Sequence, residues 1–71
     1  MQQLSKNQLE DMYPKGMVLQ ITERIDDPYS PKEVGDIFTV KCADDNMQLH
    51  GSWKNGGSIA IVVGKDKFIR V

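Results

Sequence analysis

The chain has 71 residues and a net charge of −1, enough for one domain that buries only about 60% of its unfolded surface. A single cysteine, Cys42, and a single histidine, His50, exclude an internal disulfide and fall short of the roughly four ligands of a structural zinc site. Charge is uneven: residues 1–46 carry five basic and nine acidic side chains, whereas residues 47–71 carry Lys54, Lys65, Lys67 and Arg70 against Asp66. That basic end is weaker than the footprint of a dedicated nucleic-acid binder.

Met1-Gln2-Gln3-Leu4 has no basic region followed by an apolar one, so a signal peptide is not expected. No apolar run approaches the roughly 20 residues of a membrane span, and the default location is cytoplasmic. Residues 4–13 read as a short helix. Ser5 and Gln8 have the spacing of a capping box, and Leu4 and Leu9 that of a hydrophobic staple. Leu9, Met12 and Tyr13 share one face, and Pro14 stops the helix by disfavouring helical dihedrals at Tyr13. A helix this short is marginal alone, so that face must dock on the rest of the chain or on a partner.

Residues 17–71 read as a barrel. Met17 to Arg24 forms the first strand, with Leu19 and Ile21 inward. Ile25 to Gly35 is a long loop containing Asp26-Asp27-Pro28-Tyr29-Ser30-Pro31, stiffened by its prolines; long loops in small domains tend to carry function. Asp36 to Cys42 is the second strand, with Phe38, Val40 and Cys42 towards the core. Asn55-Gly56 predicts a type I′ hairpin, with Gly57 leaving room for a bulge. Before it Met47, Leu49, Gly51 and Trp53 alternate with polar residues; after it Ile59, Ile61 and Val63 alternate with Ala60 and Val62. Trp53 is expected to cover one end of the core. Phe68 to Val71 closes the chain as a fifth strand. Strand starts about ten residues apart indicate an all-β fold, a small SH3-like barrel of about five antiparallel strands with a short N-terminal helix.

Gly16-Met17-Val18-Leu19-Gln20-Ile21, Asp26-Asp27-Pro28-Tyr29, Asp44-Asp45, Trp53-x-Asn55-Gly56-x-Ser58 and Gly64-x-Asp66-x-Phe68 occur in order along nearly the whole chain. Together with the lead-in Tyr13-Pro14-x-Gly16, this pattern resembles a family of small uncharacterised bacterial and phage proteins that carries a domain-of-unknown-function label. The family pattern is roughly G-x-x-V-x-L, D-D-P-Y, G-T-x-G-T-V, V-D-D, W-D-N-G-S-x-L and G-x-D-x-F. The resemblance implies an SH3-like barrel, often encoded on phages and other mobile elements, and supplies no catalytic residues. The chain departs from the pattern at Phe38 and Met47, where the family has glycine, and at Lys54, where it has aspartate. A ligand read by an acidic residue at that turn would meet a cation here.

Four groups of residues are candidates for function. Cys42 and His50 have the chemistry of a nucleophile and base, but no third orienting group or oxyanion site accompanies them, and a small buried thiol with a surface imidazole is the simpler reading. Asp26, Asp27, Asp44 and Asp45 could contribute to the six to eight oxygen ligands of a hard cation, yet paired aspartates in turns ordinarily bond nearby backbone N–H groups, so no metal is expected. Tyr29 and Trp53, with Asp26 and Asp27, would line a shallow groove if the long loop approaches the turn after Trp53. Lys54, Lys65, Lys67 and Arg70 would form a phosphate-contacting edge, against the alternative of a solvated face. The reading is a non-enzymatic binding module without cofactor, favouring a protein partner. The alternatives are a nucleic-acid accessory domain and a sponge for a small nucleotide-like ligand, which would need a concave pocket. Whether an open strand edge or the helix face pairs two copies is undecided by the sequence.

Overall fold

The computed structural model describes residues 4–71. Helix α1 spans Lys6–Met12, and strands β1 to β5 span Val18–Ile21, Ile37–Ala43, Gln48–Trp53, Ile61–Val62 and Phe68–Arg70. The strands form one antiparallel sheet in the order β4-β3-β2-β1-β5. β4 and β5 are consecutive in the chain yet lie at opposite ends of that order, so the sheet curls upon itself without closing. The expected all-β architecture of five antiparallel strands and one helix is therefore what the chain adopts.

The core consists of Leu9, Leu19, Ile21, Phe38, Val40, Ala43, Leu49, Trp53 and Ile61. The period-two alternation that predicted inward Leu19, Ile21, Leu49 and Trp53 thus selects the buried face of each strand. β2 is the exception near its C-terminal end. The β2–β3 register shifts between Val40 and Cys42, leaving Lys41 as an extra residue. That bulge inverts the in–out parity of the last two residues of β2. Ala43, not Cys42, is buried in the core, and Cys42 is only half-buried.

The helix starts as its sequence predicts. Gln8 N–H donates to Ser5 Oγ at 3.2 Å, and Ser5 N–H donates to Gln8 Oε1 at 2.9 Å, completing the capping box. Leu9 is fully buried, so the helix docks on its own sheet. Glu10 Oε2 accepts from the amide of Ala43, just past the bulge, at 3.2 Å, and Tyr13 meets Phe68 edge-on at 5.6 Å. Met12, expected on the docking face, is half-exposed.

Two expectations about β1 and the central hairpin are corrected. β1 ends at Ile21 rather than Arg24, because the chain turns away there into the long loop, with Gly35 N–H donating to Ile21 O at 2.8 Å. The Asn55-Gly56 turn is not type I′, which needs positive φ at both residues; Gly56 and Gly57 have φ of 87° and 100°, but Asn55 does not share that region. β3 meets β4 only through Gln48↔Val62 and Leu49↔Ile61, so residues 54–60 form a wide loop instead of a tight connection. The indole explains why. Trp53 Nε1 donates to Ile59 O at 2.9 Å, which pulls the loop back over the ring and consumes residues that would otherwise extend β4.

Candidate functional site

The loop between β1 and β2 is built as a closed unit. Ile25 and Lys32 exchange backbone hydrogen bonds of 2.8 and 3.0 Å, which pins its base. Inside, Asp27 Oδ1 accepts from the amides of Tyr29 and Ser30, each at 2.9 Å. This is the turn chemistry that aspartate supplies, and it occupies that oxygen of the carboxylate. Asp26 pairs with Arg24, whose Nε also meets Glu33 Oε1 at 2.8 Å across the loop. Tyr29 sits at the tip, 94% exposed.

The loop after β3 is tied to this unit at three points. Asn55 Nδ2 donates to Asp36 Oδ1 at 3.3 Å. Lys32 Nζ donates to Gly56 O and lies 4.8 Å from the centroid of the Trp53 ring. Gly57 packs so closely on Ser30 and Lys32 that a Cβ there would overlap the Ser30 hydroxyl and stand 2.6 Å from Lys32 Nζ. Lys32 is 3% exposed, an unusual state for an ammonium group, tolerated because a carbonyl and an aromatic face replace water around it.

These contacts correct the expected Tyr29–Trp53 groove. The two loops do approach one another, but Lys32 occupies the place opposite the indole, Trp53 is buried beside Phe38 at 4.9 Å, and Tyr29 points to solvent. Lys32 was not recognisable as part of the site from the sequence. A lysine between Pro31 and Glu33 reads as solvated, and its partner Gly56 lies 24 residues away.

Asp26 and Asp27 instead border an open cleft of about 700 Å³, together with Arg24, His50, Ile59 and Lys65. The other candidate cations are dispersed. Lys54 follows β3, and its amide donates to Ile37 O at 2.9 Å; Ile37 pairs with Gln20, and Gln20 with Ile69. Lys54 is thus three strand positions from β5, roughly 14 Å at ordinary strand spacing. Lys67 and Arg70 are exposed at and on β5, and Lys65 is exposed in the preceding turn. In the strand order Lys54 is separated from β5 by β2 and β1.

His50 Nε2 lies 2.8 Å from Asp44 Oδ2, while Asp44 Oδ1 accepts from the amides of Asn46 at 2.8 Å and Gln48 at 3.1 Å. The hydrogen bond from His50, with help from those two amides, holds the Asp44 carboxyl below its ordinary value of 3.8. His50 is committed to Asp44, and it stands across from Cys42 in the β2–β3 register. Among the described residues, no group of three or more His, Cys, Asp and Glu side chains is placed to hold a metal ion, and no helix is long and apolar enough to cross a membrane.

Fold and site together define a small β domain whose paired loops are braced by a buried lysine. The chain belongs to the family described as a domain of unknown function, DUF4314, whose model matches residues 2–71. No curated protein and no solved structure matches it.

Proposed function

We propose that the chain is a non-enzymatic binding module that presents the Tyr29 loop to a protein partner. The observation that carries this reading is a fully exposed tyrosine on a braced loop. Tyrosine supplies a large amphipathic contact surface, and such residues dominate the energetics of protein interfaces. Ordering a loop on binding costs affinity, and here the hydrogen bonds of Asp27 and the Ile25–Lys32 bridge have already ordered it. Val34, 65% exposed in the same loop, adds apolar surface. The strand order is compatible with an SH3-like barrel, in which such a loop lies beside the turn after the third strand. The phage or mobile-element origin implied by the family resemblance makes a host protein the natural class of partner, in a cytoplasmic setting.

Affinity capture from bacterial lysate with wild-type and Tyr29→Ala proteins tests this reading. The expected result is a partner retained by the wild type and lost by the variant, with unchanged thermal melting. An identical set of captured proteins, or none above background, would refute it.

The cleft beside Asp26, Asp27 and Lys65 supports a second reading, a sponge for a small ligand, since its volume is within the range of small-molecule sites. That reading predicts ligand-induced thermal stabilisation. The nucleic-acid reading has less support, because β2 and β1 separate Lys54 from the cations at β5; it predicts binding that weakens steeply with salt.

A further inference from the structure

The two ends of the sheet are finished differently. At the β4 end, the groups of Val62 that face away from β3 are satisfied by the chain's own turn. Val62 N–H donates to Asp66 Oδ2 at 2.8 Å, and Val62 O accepts from the amides of Lys65 at 3.2 Å and Asp66 at 2.9 Å. That edge is sealed.

At the β5 end nothing equivalent occurs among the described residues. Thr22 N–H donates to Lys67 O and Val71 N–H donates to Val18 O, both at 3.0 Å, while Ile69 pairs with Gln20. Residues 67, 69 and 71 therefore turn their backbone groups towards β1. By the alternation of an antiparallel ladder, Phe68 and Arg70 turn theirs to the open side. An exposed row of this kind is a template for another strand unless it is blocked. Charged side chains are the usual block, and Lys65, Lys67 and Arg70 are all exposed here. None of the three forms an ion pair among the described residues, and Asp66, the one acidic residue between them, is occupied by Val62.

We infer that the β5 edge is a strand-addition site for an extended acidic peptide. Backbone groups of Phe68 and Arg70 would supply the ladder, as in other cases of β-augmentation, and the three cations would select side chains of opposite sign. Charge also decides against a second copy of the chain as occupant. Antiparallel pairing of two β5 strands would bring two sets of these cations to one seam, and like charges placed opposite each other are destabilising.

The test uses the whole chain and the blocked hexapeptide Ac-Glu-Val-Glu-Val-Glu-Val-NH2, followed by amide NMR shifts and hydrogen exchange. The expected result is saturable binding with shifted, slowed amides at Phe68 and Arg70. Binding should weaken about threefold in the combined Lys65→Gln, Lys67→Gln, Arg70→Gln variant, because Lys67 and Arg70 lie on opposite faces of β5 and the peptide offers carboxylates to one of them. A peptide N-methylated at every residue, which has no N–H left to donate from either edge, should not bind. Four results would overturn the inference: no change at those two amides at roughly millimolar peptide, equal binding of the Lys-Val counterpart, equal binding of the N-methylated peptide, or peptide-free dimers that protect the same amides.

Discussion

Phe38 and Met47 each occupy a position whose surroundings explain what the side chain does. Phe38 is fully buried against Trp53, and its ring fits because residue 51, across β2 and β3, has no side chain. A Cβ on Gly51 would lie 2.9 Å from Phe38 Cζ and would overlap the backbone carbonyl of Thr39. Gly51→Ala should therefore destabilise the domain by about 2–3 kcal/mol, as overpacking against backbone does; urea unfolding measures it. Met47 has φ of 61°, the left-handed region that glycine adopts freely. Its side chain compensates by packing on the core, and Leu4 N–H is directed at its Sδ at 3.2 Å. Met47→Gly would relieve about 1 kcal/mol of strain and lose a comparable amount of packing. The expected change in unfolding free energy is within about 1 kcal/mol, smaller than for an ordinary core truncation. The alternation of the second strand already placed Phe38 towards the core, whereas nothing in the sequence showed that Met47 would be strained.

At the scale of elements, local signals were legible and long-range ones were not. The capping box, the helix stop at Pro14 and the inward face of β1 and β3 depend on residues a few positions apart, and each has the expected form. The bulge at Lys41 depends on how β2 meets both β3 and the helix, so alternation alone assigned Cys42 to the core. The turn after Trp53 failed for a related reason. Asn55-Gly56 favours a tight hairpin locally, but the indole bond to Ile59 and the contacts of Lys32 with Gly56 and Trp53 impose a wider loop. Lys32→Met tests this element. Loss of a charge-assisted hydrogen bond and a carbonyl left without its donor should cost about 1.5–3 kcal/mol in urea unfolding. The same variant should speed hydrogen exchange at the Trp53 indole, because both loops lose their shared anchor.

At the scale of the whole molecule, the radius of gyration of 11.2 Å equals the roughly 11 Å expected for a compact chain of this length. The helix is therefore folded onto the sheet rather than extended away from it. Acid stability depends in part on Asp44. Its carboxyl titrates below the ordinary 3.8 when folded. Its stabilising contribution is therefore fully present above that ordinary value and is lost as pH falls through the lower folded one. Unfolding free energy measured from pH 2 to pH 6 should decline on the acid side, and Asp44→Asn should flatten the part of that decline below about pH 4.

Recognition through the Tyr29 loop requires that the loop be ordered before any partner arrives. Backbone ¹⁵N relaxation of the free protein measures this directly. Order parameters for residues 27–32 are expected near the value of about 0.85 typical of rigid backbone, similar to those of β2 and β3. Values below about 0.6 at Tyr29 and Ser30, with ordinary values in the strands, would contradict the proposal, because a loop that must be ordered on binding is not a preformed presenting surface.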